Sequence, residues 1–278
     1  MEQTKKGFQT QSINSVLYEY AVKMDQIAEN GTITMTHKLT SDYRMTPLRQ
    51  SEHPCIFDAR YEILNVFYTP NGKNPIEWKF AKDKSFASVL FNMTVDGSVR
   101  YIADEGINLL YGQMNTVQEL FKQFPKLPAT GLIHAFVYDL IGMDQMLSHI
   151  VSSGDVYLDF DDRKPINTLD NKAFDFSVGV YEEGSEYKNG DMNAVFLGEA
   201  TYAGRKTLQF GFSCDNASFR MSDKHKEKNG FSYYRGTLAI DDETGILYGA
   251  DMTEYIFSDT NQLMRRNVMM KAKKIDSI

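Results

Sequence analysis

The sequence predicts an α+β fold that is mostly antiparallel β: a curved sheet or half-barrel covered by an N-terminal helix and a central helical insert. Three observations predict it. From residue 155 onward, alternating runs follow one another across breaks as short as "AGR" at 203–205 and "DDETG" at 241–245. Strands joined so closely must be antiparallel, because a parallel neighbour needs a long crossover. Strand-forming aromatics abound, with 16 Tyr and 18 Phe against one Trp. Two segments, 12–29 and 131–151, carry apolar residues in a helical pattern and offer the covers that a one-sided sheet requires.

Residues 1–11 are polar and read as a flexible start. In 12–29, Ile13, Val16, Leu17, Tyr20, Met24 and Ile27 recur at steps of three and four, which predicts a helix. Ser12 can cap it and Asn30-Gly31 can end it. Period two follows: Thr32, Thr34 and Thr36 point one way, Ile33, Met35 and His37 the other. The polar stretch after it holds Pro47 and Pro54 and reads as a loop. Residues 56–68 alternate again, with Phe57, Ala59, Tyr61 and Ile63 against Asp58, Arg60 and Glu62. "NGKN" at 71–74 is a turn signal, strands are expected at 77–82, 86–94 and 98–103, and Asp96-Gly97 fits a tight hairpin turn.

Residues 104–153 read as a helical insert. Leu109, Leu110, Met114, Val117, Leu120 and Phe121 mark a first helix, which "FPKLPATG" interrupts. The second, 131–151, is apolar on most sides and belongs inside a structure. Asp139 and Asp144 make it unlike a membrane span. Strands are then expected at 155–160, 173–181, 192–202, 205–213, 216–221, 230–240, 246–257 and 263–274. In the hairpin "GTLAIDDETGILYGADMTEYIF" (236–257), Leu238 and Ile240 share a face, as do Ile246, Tyr248, Ala250 and Met252. Gly245 is placed to take positive φ. No repeat or linker divides residues 1–278, so one domain is expected.

Composition narrows the function classes. Hydrophobic residues make up 42% and charged residues 24%, the profile of a folded soluble chain. A net charge of −7 argues against a nucleic-acid partner. The basic clusters that could offset it are Lys224, His225, Lys226 and Lys228, and Arg265, Arg266, Lys271, Lys273 and Lys274. The N-terminus has no apolar signal core. The compartment stays open: cytoplasmic if Met1 is native, periplasmic or cell-surface if an export signal was removed. Two cysteines, Cys55 and Cys214, leave pairing undecided.

No catalytic signature stands out: there is no G-x-S-x-G, P-loop or G-x-G-x-x-G after a strand. His37, His53, His134, His149 and His225 form no compact metal spacing, and no cofactor is expected. His134 lies in the apolar helix one turn from Tyr138. It reads as a hydrogen-bonded core histidine more readily than as a general base. Asp155, Asp159, Asp161 and Asp162 lack the D-x-D-x-D-G calcium pattern and fit a solvated strand edge. Glu77-Trp78 fits rim packing better than a sugar platform.

Two late stretches, "LGEATYAGRKTLQF" (197–210) and "YYRGTLAIDDETGILYGADMTE" (233–254), carry a resemblance. The spaced pair Gly198 and Gly204, with Ile240, Asp241, Thr244, Gly245 and Ile246, is similar to strand pairs of the bacterial lipoprotein carriers of the LolA and LppX/LprG-like group. The resemblance covers about the last 80 residues plus the first helix and strand. It implies a half-barrel closed by helices, with an apolar cavity for acyl chains.

The leading expectation is therefore a non-enzymatic binding protein whose half-barrel cavity holds a lipid or other apolar or amphipathic small molecule. Face counting puts Phe136, Tyr138, Ile141, Tyr248 and Met252 in its lining. One alternative is an enzyme acting on a small hydrophobic substrate in the same barrel, with His134 and Asp139 as its polar centre. The other is a surface or assembly protein that uses exposed strands and the methionine-rich C-terminal strand (Met264, Met269, Met270).

Overall fold

Strand alternation governs the N-terminus as much as the C-terminus. The computed structural model describes residues 12–50, 57–69, 71, 76–78, 89–93, 99–101, 165–168, 186–188, 191–202, 204–223, 226–259 and 263–278. These form β1 (Ile13–Ile27), β2 (Ile33–Gln50), β3 (Phe57–Thr69), β4 (Ile76–Trp78), β5 (Val89–Met93), β6 (Val99–Tyr101), β7 (Pro165–Thr168), β8 (Glu186–Lys188), β9 (Asp191–Tyr202), β10 (Arg205–Asp223), β11 (Lys226–Asp241), β12 (Leu247–Ser258) and β13 (Leu263–Ser277). All belong to one sheet, ordered β6-β5-β3-β2-β1-β13-β12-β11-β10-β9-β7, with β4 beside β3 and β8 beside β10. Among the described residues each strand pairing is antiparallel.

The expected N-terminal helix is a strand. Val16, Tyr18, Tyr20 and Val22 are buried, and Leu17, Glu19, Ala21 and Lys23 between them are only half-buried. The helical reading arose because Leu17, apolar on the opposite face, completed a three-and-four pattern. The residues themselves are β-branched or aromatic at alternate positions, which suits a pleated surface. Long ladders to both β2 and β13 satisfy the backbone. Asn30-Gly31, expected to end a helix, closes the β1–β2 hairpin. Gly31 sits at φ 82°, its N–H donates to the Ala28 carbonyl at 2.8 Å, and Asn30 Oδ1 accepts from the Thr32 N–H at 3.0 Å.

Other expectations shift in detail. The stretch read as a loop is strand as far as Gln50. Pro47 is accommodated where the β2–β3 register slips between Pro47 and Arg49, because a proline that cannot donate to the ladder is tolerated at a bulge. The segments expected at 205–213 and 216–221 are one strand, β10, with a bulge between Cys214 and Ala217. The helical insert at 104–153, the expected strands at 155–160 and 173–181, and the Asp96-Gly97 turn lie outside the described residues.

Register sorts the side chains into rows on two faces. One face is buried. Its rows run Phe212–Gly236–Met252–Val268–Val22–Leu39 and Phe210–Leu238–Ala250–Met270–Tyr20–Ser41. Tyr20, Leu39, Tyr234 and Leu238 have no exposure there. Tyr18 stacks on Tyr43 with centroids 4.9 Å apart. Gly236 is required in its row: a Cβ would meet the Asp251 carbonyl oxygen and the Phe212 ring, which fills the space over the glycine. Among the described residues nothing covers the opposite face, which is polar and interspersed with small residues, with Lys38, Thr40 and Asp251 exposed on it.

Candidate ligand-binding site

The open face carries a trough whose walls come from four neighbouring strands. It encloses about 410 Å³ over β2, β1, β13 and β12. The register builds it from two adjacent rows, Lys38–Lys23–Asn267–Thr253 and Thr40–Ala21–Met269–Asp251. Ala21 leaves space where a larger residue would fill it, and Met269 makes the floor apolar. Lys23 and Lys38 stand directly opposite each other at one end. Asn267 Nδ2 donates to Thr253 Oγ1 at 2.8 Å, which orders the polar rim. A second hollow of about 200 Å³ adjoins it, sharing Asp251 and Met269 and adding Tyr202, Gln209, Thr237, Ala239, Gly249 and Lys271.

Lys23 is fixed by Asp25. The Asp25 carboxylate is fully buried and accepts from Arg265 Nη2 at 2.7 Å, Lys23 Nζ at 2.9 Å and Thr36 Oγ1 at 2.7 Å. Burial pushes its pKa up. The hydrogen bonds from Arg265, Thr36 and Lys23, with the Lys23 charge, outweigh that and hold it at about 2. The carboxylate is thus ionised at neutral pH and keeps one cation at the trough's end. Beyond it the row continues through Arg265 to Tyr255 and Tyr233, where Tyr233–Tyr255 and Phe231–Phe257 stack with centroids 5.1 and 4.9 Å apart.

The adjoining hollow is shaped by the β9–β10 hairpin tip. The Tyr202 ring of β9 lies edge-on to Tyr248 of β12 at 5.3 Å, and Lys271 Nζ of β13 is 5.5 Å from its centroid. In a flat sheet these strands stand three and four spacings from β9, roughly 14 and 19 Å. The β9–β10 end must therefore bend over the open face. A register slip at Gln209/Phe210 and Gly198, at φ 128°, supply the bend. The neighbouring Asp-rich turn is braced by Asp241. Its Oδ1 accepts from the Thr244 N–H and Oγ1, each at 2.8 Å, its Oδ2 accepts from Arg205 Nη1 at 3.0 Å, and Gly245 takes φ 72°.

The buried face carries a polar row that the sequence reading missed: His37–Met24–Arg266–Glu254–Tyr234–Cys214. Arg266 and Glu254 have no side-chain exposure. Arg266 Nε and Nη2 both donate to Glu254 Oε2, at 2.9 and 2.7 Å. The basic C-terminal run is thus partly neutralised by carboxylates across strands, with Arg265 on Asp25 and Lys273 on Asp42 as well. The signal was available only as a pairing problem, since Glu254 and Arg266 are unremarkable until the β12–β13 hairpin sets them opposite each other.

Of the expected lining residues, Met252 lies on the buried face, 1% exposed, and borders the trough from below. Tyr248 sits at the bulge opposite Ala239 and Ile240 and packs on Tyr202. Phe136, Tyr138 and Ile141 lie outside the described residues, as do His134 and Asp139. Met252 thus belongs to the buried face, and Tyr248 to the bulge beside the β11–β12 turn. Met264, Met269 and Met270 belong to β13, which is paired on both sides. Its backbone is therefore closed to strand addition.

No family model matches the sequence, and no curated protein matches it. Among solved structures, the chain is similar to a putative exported protein with a YmcC-like fold from Bacteroides fragilis, at 11% identity and TM-score 0.28, covering 97% of this chain and 98% of that one. LprF from Mycobacterium bovis aligns at 11% identity and TM-score 0.24, covering 96% and 87%. A DUF1329 family protein from Desulfovibrio piger aligns at 9% identity and TM-score 0.15, covering 95% and 88%.

Proposed function

We propose that the chain is a non-enzymatic binding protein for a hydrophobic or amphipathic small molecule, and that the trough of the open face is where the ligand lies. The observation that carries this reading is the trough's composition: an apolar floor of Ala21 and Met269, an uncrowded volume of about 410 Å³, and two opposed lysines at one end. That volume falls within the range of small-molecule sites. Each methylene removed from water contributes about 0.8 kcal/mol when fully buried. A trough open on one side secures only part of that, so a charged head group at Lys23 and Lys38 would add the orientation that the floor lacks. Thioether flexibility at Met269 suits chains of varied shape.

Oleate and its neutral counterpart monoolein are the probes. Displacement of a fluorescent fatty acid, with native mass spectrometry for stoichiometry, should show one oleate per chain. Lys38→Glu should weaken oleate more than monoolein. Ala21→Trp, with folding checked by circular dichroism, should weaken both. Absence of binding by either probe, or unchanged affinity in folded forms of both variants, overturns the reading.

A further inference from the structure

We propose that Met24, Met35 and His37 form a binding site for a soft monovalent cation, Cu(I), at the β1–β2 end of the buried face. His37 Nε2 and Met35 Sδ lie 2.7 Å apart, so a nitrogen and a thioether donor are direct neighbours on this face. Met24 stands directly opposite His37 in the β1–β2 register, on the same face. Met264 occupies the next row of that face, since Gln26 pairs with both Met35 and Met264. All four side chains are half-buried, which keeps an entry path while excluding most water.

The donor set selects the ion. Among the described residues, no group of three His, Cys, Asp or Glu side chains could hold a metal. A hard or borderline divalent ion therefore lacks its usual ligands here. Thioether sulfur with one imidazole suits Cu(I) and its analogue Ag(I). His37 is oriented for this role by Tyr68, whose hydroxyl lies 2.8 Å from Nδ1. With the proton on Nδ1 donated to Tyr68, Nε2 presents its lone pair to a metal, the usual outer support of a ligating histidine. The nearest charged neighbour on the face, Arg266 beside Met24, is balanced by Glu254. Bonds of about 2.0 Å to nitrogen and about 2.3 Å to sulfur would separate the two donors by about 3.5 Å. Met35 needs to retreat by less than about 1 Å, well within its three rotatable bonds.

The test uses the full chain with ¹³C-methyl methionine, titrated with Ag(I). One equivalent should shift the Met24 and Met35 methyl signals and the His37 ring signals together. Under anaerobic conditions, competition with a chromophoric Cu(I) chelator should give the same stoichiometry. Met24→Leu and Met35→Leu keep the side-chain volume and should raise the dissociation constant by more than tenfold each. Tyr68→Phe should raise it by roughly tenfold, through loss of the orienting hydrogen bond. If the metal binds without moving the Met24 and Met35 signals, as it would at Cys55 or Cys214, the proposal fails. It fails equally if no ion binds, or if both leucine variants keep full affinity. Oleate binding to the opposite face is unaffected by either result.

Discussion

Single residues carry sharply different risks in this sheet. Gly236 lies where any Cβ meets the Asp251 carbonyl oxygen and the Phe212 ring. Gly236→Ala should cost about 1–3 kcal/mol, read as a lower urea midpoint. Arg266 and Glu254 are buried together, so Glu254→Leu removes the carboxylate that accepts from both Nε and Nη2 of the guanidinium. That should cost about 3–5 kcal/mol. The double variant Glu254→Leu with Arg266→Met should recover most of it, and a double variant no more stable than the single would show the pair acts otherwise. Asp25 makes an acid-dependent contribution. Its folded pKa, about 2, lies below the ordinary aspartate value of 3.8. The stabilisation is therefore complete above pH ~4 and is lost as pH falls toward 2, about 2 kcal/mol in all. Urea titrations across that interval should lose this slope in Asp25→Asn.

At the scale of elements, turns were more legible than the strands they join. The Gly245 turn was foreseen because "D-x-x-T-G" offers an acceptor side chain and a residue free to take positive φ. The structure adds that Asp241 also anchors Arg205 of the next hairpin. Asp241→Ala should therefore loosen two connections at once. Hydrogen exchange should rise at Thr244, Gly245 and Ile246 with β1 and β13 unchanged; exchange that stays slow at the turn would contradict the bracing role. The first element was misread for a physical reason. An apolar strand with a further apolar residue on its other face satisfies helical and strand periodicities together, and the sequence does not say whether neighbours exist to take its backbone hydrogen bonds. Asn30-Gly31 was read as a boundary correctly and as the wrong kind of boundary, because a left-handed residue ends a helix and closes a hairpin equally well.

At the scale of the whole molecule, the first and last described strands pair in mid-sheet. β1 lies between β2 and β13, and the Ile278 N–H donates to the Ser12 carbonyl at 2.9 Å. Removing residues 1–28 would split the sheet and expose two long edges, so the truncated chain should be insoluble or protease-sensitive throughout. A circular permutant that joins Ile278 to Ser12 through a short glycine-serine linker and reopens at Asn30-Gly31 keeps the β1–β13 pairing. It should retain the native circular dichroism spectrum and cooperative unfolding. Pairing of strands about 250 residues apart also makes closure entropically costly, so refolding should be slow, in the range of milliseconds to seconds or longer. The trough is a product of this scale alone. Lys23 and Lys38 come from one hairpin, but Asn267, Met269, Asp251 and Thr253 reach it only because the last hairpin docks against the first strand.

By itself the sequence determined the antiparallel character, the position of most late strands and the residues that turn between them, because these depend on alternation and local backbone preference. The tertiary structure decided that β1 is a strand paired with β13, and that side chains from four strands leave a hollow on one face. Those outcomes depend on which distant segment supplies the hydrogen bonds and the neighbouring row, and no local window of the chain contains that partner.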